Sequence, residues 1–320
     1  MPPELTRREF LGLTATAGST LAFPNVLLPR RAGQARPGRW FGAAKPGRVP
    51  TARRPRFGSV TLPAGRAWIP EENYGPPVKR PVAWATDTPT ADAFALARTL
   101  SNLFPQTGLW PLLWLNTDRP AAYCSSLPRP SRIDGSRAET ILRRQWRREP
   151  PQAEWVAPLG TRFPGLAAPT TEQPERFDAF HELRAWQAAS ARFNPLELTP
   201  RLMLVPCTRP ADAVAAMHLI CGLSEGVSNP GEVSSVLRSW ERRFGAVLVG
   251  AEPGGMTLAV GAPPRSFDRA LRIAAEQFAF APREDAGAPG ALGQLARELL
   301  GGHPPYTWSG RRIWTFGWDD

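Results

Sequence analysis

Val233, Leu237, Trp240 and Phe244 recur at i, i+4, i+7 and i+11, and Gly245 follows at once. Such a stripe marks a helix that lays one face against a core. The run opens at Pro230, and Gly245 closes it as a C-cap glycine does. Two apolar runs come next, Ala246–Val249 and Met256–Val260, joined around Pro253-Gly254-Gly255. Together they read as a β-hairpin.

The neighbouring segments extend this pattern. Leu202–Pro206 is a compact strand, and Pro210–Cys221 is a helix with Val214, Met217, His218 and Cys221 on one side. Ser266–Phe280 and Leu292–Leu300 are further helices, with Ser266 as a possible cap and Gly301 closing the second. Ile313–Phe316 is a final strand. Upstream, Val60–Leu62 and Val82–Ala85 read as strands, and Thr88–Leu103 as a helix capped by Thr88. Leu109–Leu115 is short enough for a buried strand, which Pro111 pushes toward a sheet edge. Ala138–Arg148 and Glu175–Phe193 read as helices around a Pro-rich loop at 150–174. The expected class is α+β: a short mixed or antiparallel sheet with helices packed on one face. The expected regions are 1–35 as a leader, 36–57 as a basic flexible arm, 58–195 as an N-terminal α+β region and 196–320 as a C-terminal α+β domain.

Positive charge is concentrated at one end of the chain. Residues 1–80 carry 14 Lys/Arg against 4 Asp/Glu, residues 81–200 carry 13 against 12, and residues 201–320 carry 12 against 12. The folded body is near neutral, which argues against nucleic-acid binding by it. Arg7, Arg8, Phe10 and Leu11 fit the twin-arginine export pattern Ser/Thr-Arg-Arg-x-Phe-Leu, and an uncharged run to Pro29 follows. That run is too polar for a stable transmembrane anchor. The expected route is export by the twin-arginine translocation machinery to the cell envelope or beyond, with cleavage after Ala35; the alternative is a cytoplasmic protein. Three cysteines, Cys124, Cys207 and Cys221, do not make a disulfide framework. Cys207 and Cys221 could pair, or all three could be buried thiols.

Four runs, taken in order, carry a resemblance. They are Leu204-Val205-Pro206; Val236 to Gly245; Ala262 to Arg265 with Ala274 to Phe280; and Trp314 to Asp319. They resemble the bacterial family known as domain of unknown function 4253, over about Arg201 to Asp320. Looser similarity reaches upstream through Gly108–Leu113 and Phe163–Leu166. The resemblance implies a fold and a kinship, without a reaction. The chain has Ala281-Pro282 and Asn229-Pro230 where members often have Cys-Pro. Gly255-Met256 stands where an acidic residue and Thr often open the second hairpin strand.

Few constellations point to chemistry. Gly222-Leu223-Ser224-Glu225-Gly226 fits Gly-x-Ser-x-Gly, but a helix-like run precedes it where a hydrolase has a strand. His181, His218 and His303 lack metal-ligand spacing. Glu241 is either the partner of Arg238 on the same helix or a buried acid with a raised pKa. Twelve tryptophans suit a core or an aromatic platform at Trp308, Trp314 and Trp318. Asp319 beside Trp318 is either a carboxylate at an aromatic wall or a frayed end. No cofactor or metal motif is present. The expected role is binding of a protein or small ligand through Arg238, Trp240, Trp314, Trp318 and Asp319. The alternative is a hydrolase using Ser224 or Glu241.

Overall fold

The computed structural model describes residues 42–69, 79–115, 133–148, 150–169, 177–190, 199–217, 219, 227, 229–252, 254–282, 290–301 and 310–318. In chain order the strands are β1 (Arg56–Phe57), β2 (Val60–Thr61), β3 (Gly65–Trp68), β4 (Ala83–Thr86), β5 (Leu109–Trp114), β6 (Arg201–Pro206), β7 (Ala246–Glu252), β8 (Gly255–Val260) and β9 (Ile313–Gly317). The helices are α1 (Ala93–Thr107), α2 (Ala138–Arg148), α3 (Ala179–Ser190), α4 (Ala213–Met217), α5 (Pro230–Phe244), α6 (Phe267–Phe280) and α7 (Ala291–Leu299). Short 3-10 turns at Gly135–Arg137 and Pro210–Asp212 lead into α2 and α4.

The fold is α+β. Strands β1 and β2 form a small hairpin, and the other seven make one mixed sheet in the order β3-β4-β6-β5-β7-β8-β9. The β5–β7 pairing is parallel and every other neighbour pairing is antiparallel. The helices pack in two groups. α1 and α3 meet each other, while α4 and α2 pack on α5, α6 packs on α2, and α7 packs on α6. Strand β6 follows residue 196 yet lies between β4 and β5, which precede it. Strands from the two regions expected at 58–195 and 196–320 therefore share one sheet.

Helix α5 has both of its expected ends. Asn229 Oδ1 accepts from the backbone N–H groups of Gly231 and Glu232 at 2.9 and 3.3 Å, satisfying two donors that a helix start leaves open. Gly245 adopts φ 61°, and its N–H donates back to Glu241 O and Trp240 O. The chain enters β7 at the next residue, so α5 and its hairpin are rigidly coupled. Helix α6 starts after Ser266, whose side chain makes no capping bond. Helix α1 starts at Ala93, later than expected from Thr88. The backbone N–H of Thr90 is held by Pro200 O at 3.0 Å, which keeps the preceding residues out of the helix.

Pro111 corrects an expectation. It lies in β5, near the middle of the sheet rather than at its edge. Along β6 its register partner is Leu204. On the other side, pairing with β7 begins only at Leu113 and Trp114. Pro111 itself has no N–H to give to β7. The Trp110 indole N–H donates to Leu248 O instead, at 2.8 Å. A side chain thus replaces the ladder bond that the proline removes, and β7 bulges next to it, between Leu248 and Gly250.

The described part of the expected flexible arm is also packed. Ala43 N–H donates to Thr208 O at 3.0 Å and Gly47 N–H to Gly108 O at 2.8 Å. Gly47 and Gly108 approach so closely that a Cβ on either would lie 2.3 Å from a backbone oxygen. Ala43, Val49 and Phe57 rest on the core. The proline and glycine content that suggested flexibility instead allows this close backbone contact.

Candidate functional site

The described part of the expected aromatic platform, Trp314 and Trp318, belongs to the core. Trp240 and Trp314 are fully buried, and Trp318 is 4% exposed. Trp240 stacks on Phe316 with centroids 5.3 Å apart and meets Phe280 and Trp314 edge-on at 4.9 and 5.8 Å. Trp318 packs against Phe280 at 5.2 Å. Trp240, Trp314 and Trp318 therefore join α5, α6 and β9 through offset and edge contacts and offer no open face to a ligand. Asp319 and Ser224 lie outside the described residues, as do His218, His303, Cys124, Cys221, Trp308 and the export residues Arg7, Arg8, Phe10 and Leu11.

A buried ionic network adjoins this cluster. The Glu276 carboxylate of α6 has no solvent exposure. Its Oε1 accepts from Arg243 Nη1 at 2.8 Å and from the backbone N–H of Ala167 at 2.7 Å. Its Oε2 accepts from Arg243 Nη2 at 2.5 Å and from the Trp240 indole at 2.8 Å. Arg243 also donates to Ala167 O and to Ser239 Oγ, and its guanidinium carbon lies 4.6 Å from the Phe244 ring centroid. Every lone-pair direction of the carboxylate is used, which a buried charge requires. The network ties α5, α6 and the loop around Ala167 together.

The other side of α5 carries the candidate site. Arg238 and Glu241 do not pair with each other, which corrects the expected i,i+3 pair. Arg238 forms a two-pronged bond to Asp212, with Nε–Oδ1 at 2.6 Å and Nη2–Oδ2 at 2.8 Å, and its Nη1 donates to Ile133 O at 2.6 Å. Glu241 lies alongside Arg209. Its Oε1 accepts from Nη2 at 3.3 Å, while Oε2 and Nε sit 3.2 Å apart without an aligned hydrogen bond. Arg209 and Asp212 stand three apart at the 3-10 turn that follows β6, facing Arg238 and Glu241 three apart on α5. Each residue takes its partner from the opposite element. Cys207, a free and buried thiol, lies at the same strand end.

Electrostatics separates these groups. Burial pushes the Glu241 carboxyl up to about 7; Arg209 opposes the rise and Asp212 adds to it. Burial also raises the Cys207 thiol well above its ordinary value, and the negative field of Asp212 adds to that. Cys207 is thus a neutral thiol and a poor nucleophile near neutral pH. Burial lowers the Arg238 guanidinium, but its bond to Asp212 and the charges of Asp212, Glu241 and Asp134 together outweigh this and raise it. Chemically, the cluster offers one carboxyl that exchanges its proton near neutral pH beside a partly exposed guanidinium. Among the described residues, no three His, Cys, Asp or Glu side chains gather as a metal would require.

Arg209, Asp212, Arg243 and Glu276 escape a reading of the sequence alone. One signal was present: Glu276 interrupts the Ile273–Phe280 stripe of α6, and Arg243 falls on the apolar side of α5 next to Phe244. A charge on a core-facing stripe signals a buried partner. Nothing local marks Arg209 or Asp212.

The site thus belongs to an α+β protein whose central helix bears a buried ion pair on one side and a titratable ion pair on the other. Residues 201–319 match the model of the family described as Domain of unknown function (DUF4253). That stretch runs from β6 to beyond β9 and contains Arg209, Asp212, Arg238, Glu241, Arg243 and Glu276. No curated protein and no solved structure matches the chain.

The raised carboxyl sets a pH dependence. A folded value of about 7 against an ordinary 4.5 means that the folded state binds the proton more tightly than the unfolded state. This stability is present below about pH 4.5 and is lost as the pH rises through about 7. Over that window the stability of the wild type relative to Glu241→Gln is expected to fall by roughly 3 kcal/mol. Urea denaturation of both proteins at a series of pH values measures the difference, and a flat difference would contradict the assignment.

Proposed function

We propose that this chain is a non-catalytic binding or interaction module, exported in folded form by bacteria, and that a protein or small-molecule partner is met at the Arg209–Glu241 pair. The observation that carries the reading is the uneven commitment of the charged groups. Glu276 accepts four hydrogen bonds from its own chain, and Asp212 is clamped by Arg238. Glu241 is 7% exposed and keeps an oxygen with no hydrogen bond, beside Arg209, whose Nε is likewise unsatisfied. A buried polar atom left in that state is costly and marks the pair out from its fully bonded neighbours, and the Arg209 side chain, 26% exposed, is the part a partner can reach. The neutral Cys207 thiol beside the pair argues against covalent catalysis there.

The second reading is a hydrolase using Ser224 or Glu241. The Glu241 pKa of about 7 favours it, since a general acid works best near the ambient pH. Two assays separate the readings. The binding reading expects no labelling by a fluorophosphonate probe that depends on Ser224. It also expects no hydrolysis of a para-nitrophenyl ester that depends on Glu241. Turnover lost in Ser224→Ala or Glu241→Gln would establish the enzyme instead.

Export rests on Arg7 and Arg8 within Thr6-Arg7-Arg8-Glu9-Phe10-Leu11, and its partner is the twin-arginine translocation machinery. No helix among the described residues is long and apolar enough to cross a membrane. Replacing both arginines by lysine is expected to strand the protein in the cytoplasm. Cell fractionation reads this directly, and an unchanged location would leave the cytoplasmic alternative.

A further inference from the structure

We propose that the β3 edge of the sheet is a docking face for an anionic lipid bilayer, with arginines at the headgroups and Ile69 entering the interface. Charge placement is the first support. Residues 42–87 carry eight Lys/Arg against three Asp/Glu, whereas residues 88–320 carry 25 against 23. The folded part of the basic excess is therefore confined to the segment that builds β1 to β4.

The second support is how this segment is held. Strand β3 is the outermost strand of the sheet at that end. The stretch beside it is fixed by its backbone: Gly65 N–H donates to Arg53 O at 2.8 Å, Leu62 N–H to Pro55 O at 3.0 Å, and the buried Trp84 indole to Ala52 O at 3.2 Å. Pro55 and Leu62 are buried, so the chain presents Arg53, Arg54 and Arg56 to solvent. Arg66 on β3 is exposed too, and Lys79 and Arg80 lie exposed before β4. The backbone that carries Arg53, Arg54, Arg56 and Arg66 is thus fixed before any partner arrives, which lowers the entropy lost on binding.

Among the described residues, internal neutralisation is weak. Asp87 is approached by both Arg53 and Arg66, at 3.5 and 3.8 Å, and those side chains remain 79% and 64% exposed. Long, exposed pairs of this kind contribute little, so the edge keeps its positive field.

Ile69 selects the partner. It directly follows β3 and is 46% exposed, and Val82 N–H bonded to Trp68 O sets Lys79 and Arg80 at the same end of the hairpin. An aliphatic side chain beside cations suits a bilayer interface, where burial of apolar area and attraction to anionic lipid act together. A nucleic acid or an acidic peptide would use the charges and leave Ile69 in water.

The test is co-sedimentation of the full chain with vesicles. Binding is expected to phosphatidylcholine vesicles holding about one-third phosphatidylglycerol, and not to pure phosphatidylcholine; it is expected to weaken steeply toward ~0.5 M salt. At about fivefold per cation, Arg53→Gln/Arg54→Gln/Arg66→Gln is expected to bind ~100-fold more weakly. Lys79→Gln/Arg80→Gln, at the other end of the edge, is expected to lose ~25-fold and serves if the triple variant fails to fold. Ile69→Ser is expected to weaken binding several-fold with an unchanged salt dependence. Wild-type affinity in both charge variants overturns the proposal. So does binding of soluble polyglutamate or polyphosphate without binding of vesicles, and so does a charge variant whose only change is self-association. Vesicle binding retained in Glu241→Gln shows that this face and the Arg209–Glu241 pair stand or fall separately.

Discussion

The buried carboxylate of Glu276 is the point on which this fold turns. An ionised group without solvent contact is tolerated only when it is paired and fully hydrogen-bonded. Arg243 supplies the opposite charge and two of the bonds, and the Trp240 indole and the Ala167 N–H supply the others. These donors come from α5 and from a loop more than 70 residues earlier in the chain. The aromatic cluster of Trp240, Phe280, Trp314 and Phe316 gains its geometry from the same bond, because the indole that Glu276 holds is the one that stacks on Phe316. Arg269 and Arg272 of α6 reach Ala168 O and Pro164 O, so the loop is gripped along its length.

Fixing α5 on its buried side fixes what it presents on the other. Arg238 directly precedes Ser239 and Glu241 lies two residues before Arg243 on the same helix, so their direction follows from the network behind them. Two i,i+3 pairs then face each other, Arg209 with Asp212 and Arg238 with Glu241. Local pairing within each element was available, at the few tenths of a kcal/mol that surface helix pairs contribute. The cross-pairing instead gives Asp212 a two-pronged guanidinium bond. Glu241 is left with a looser contact to Arg209, and its proton affinity rises because burial is not fully offset. The fold thus makes one pair tight and leaves the other titratable.

The sequence made α5 and its hairpin legible because their signals are local: a proline at one end, a glycine at the other, and an apolar stripe between. It named Trp240 and Glu241 as the residues to watch, though not their surroundings. Tryptophan on a stripe reads alike whether it lines a core or a platform, and only the packing of α6 and β9 over Trp240 decides. Pro111 misled because its cost is relieved by a neighbouring indole reaching a strand 138 residues away in sequence. The arm misled because close backbone packing at Gly47 and Gly108 has the same composition as a linker. Arg209 and Asp212 carry no pattern of their own and matter only through α5.

A double-mutant cycle on Arg243 and Glu276, followed by urea denaturation, tests the central claim most directly. Arg243→Met and Glu276→Leu alone should each lower stability by ~3–5 kcal/mol, since each strands a buried polar or charged partner. The pair together should cost far less than the sum, giving a coupling of at least ~2 kcal/mol. Additive losses, or single losses below ~1 kcal/mol, would show that the fold does not depend on this ion pair.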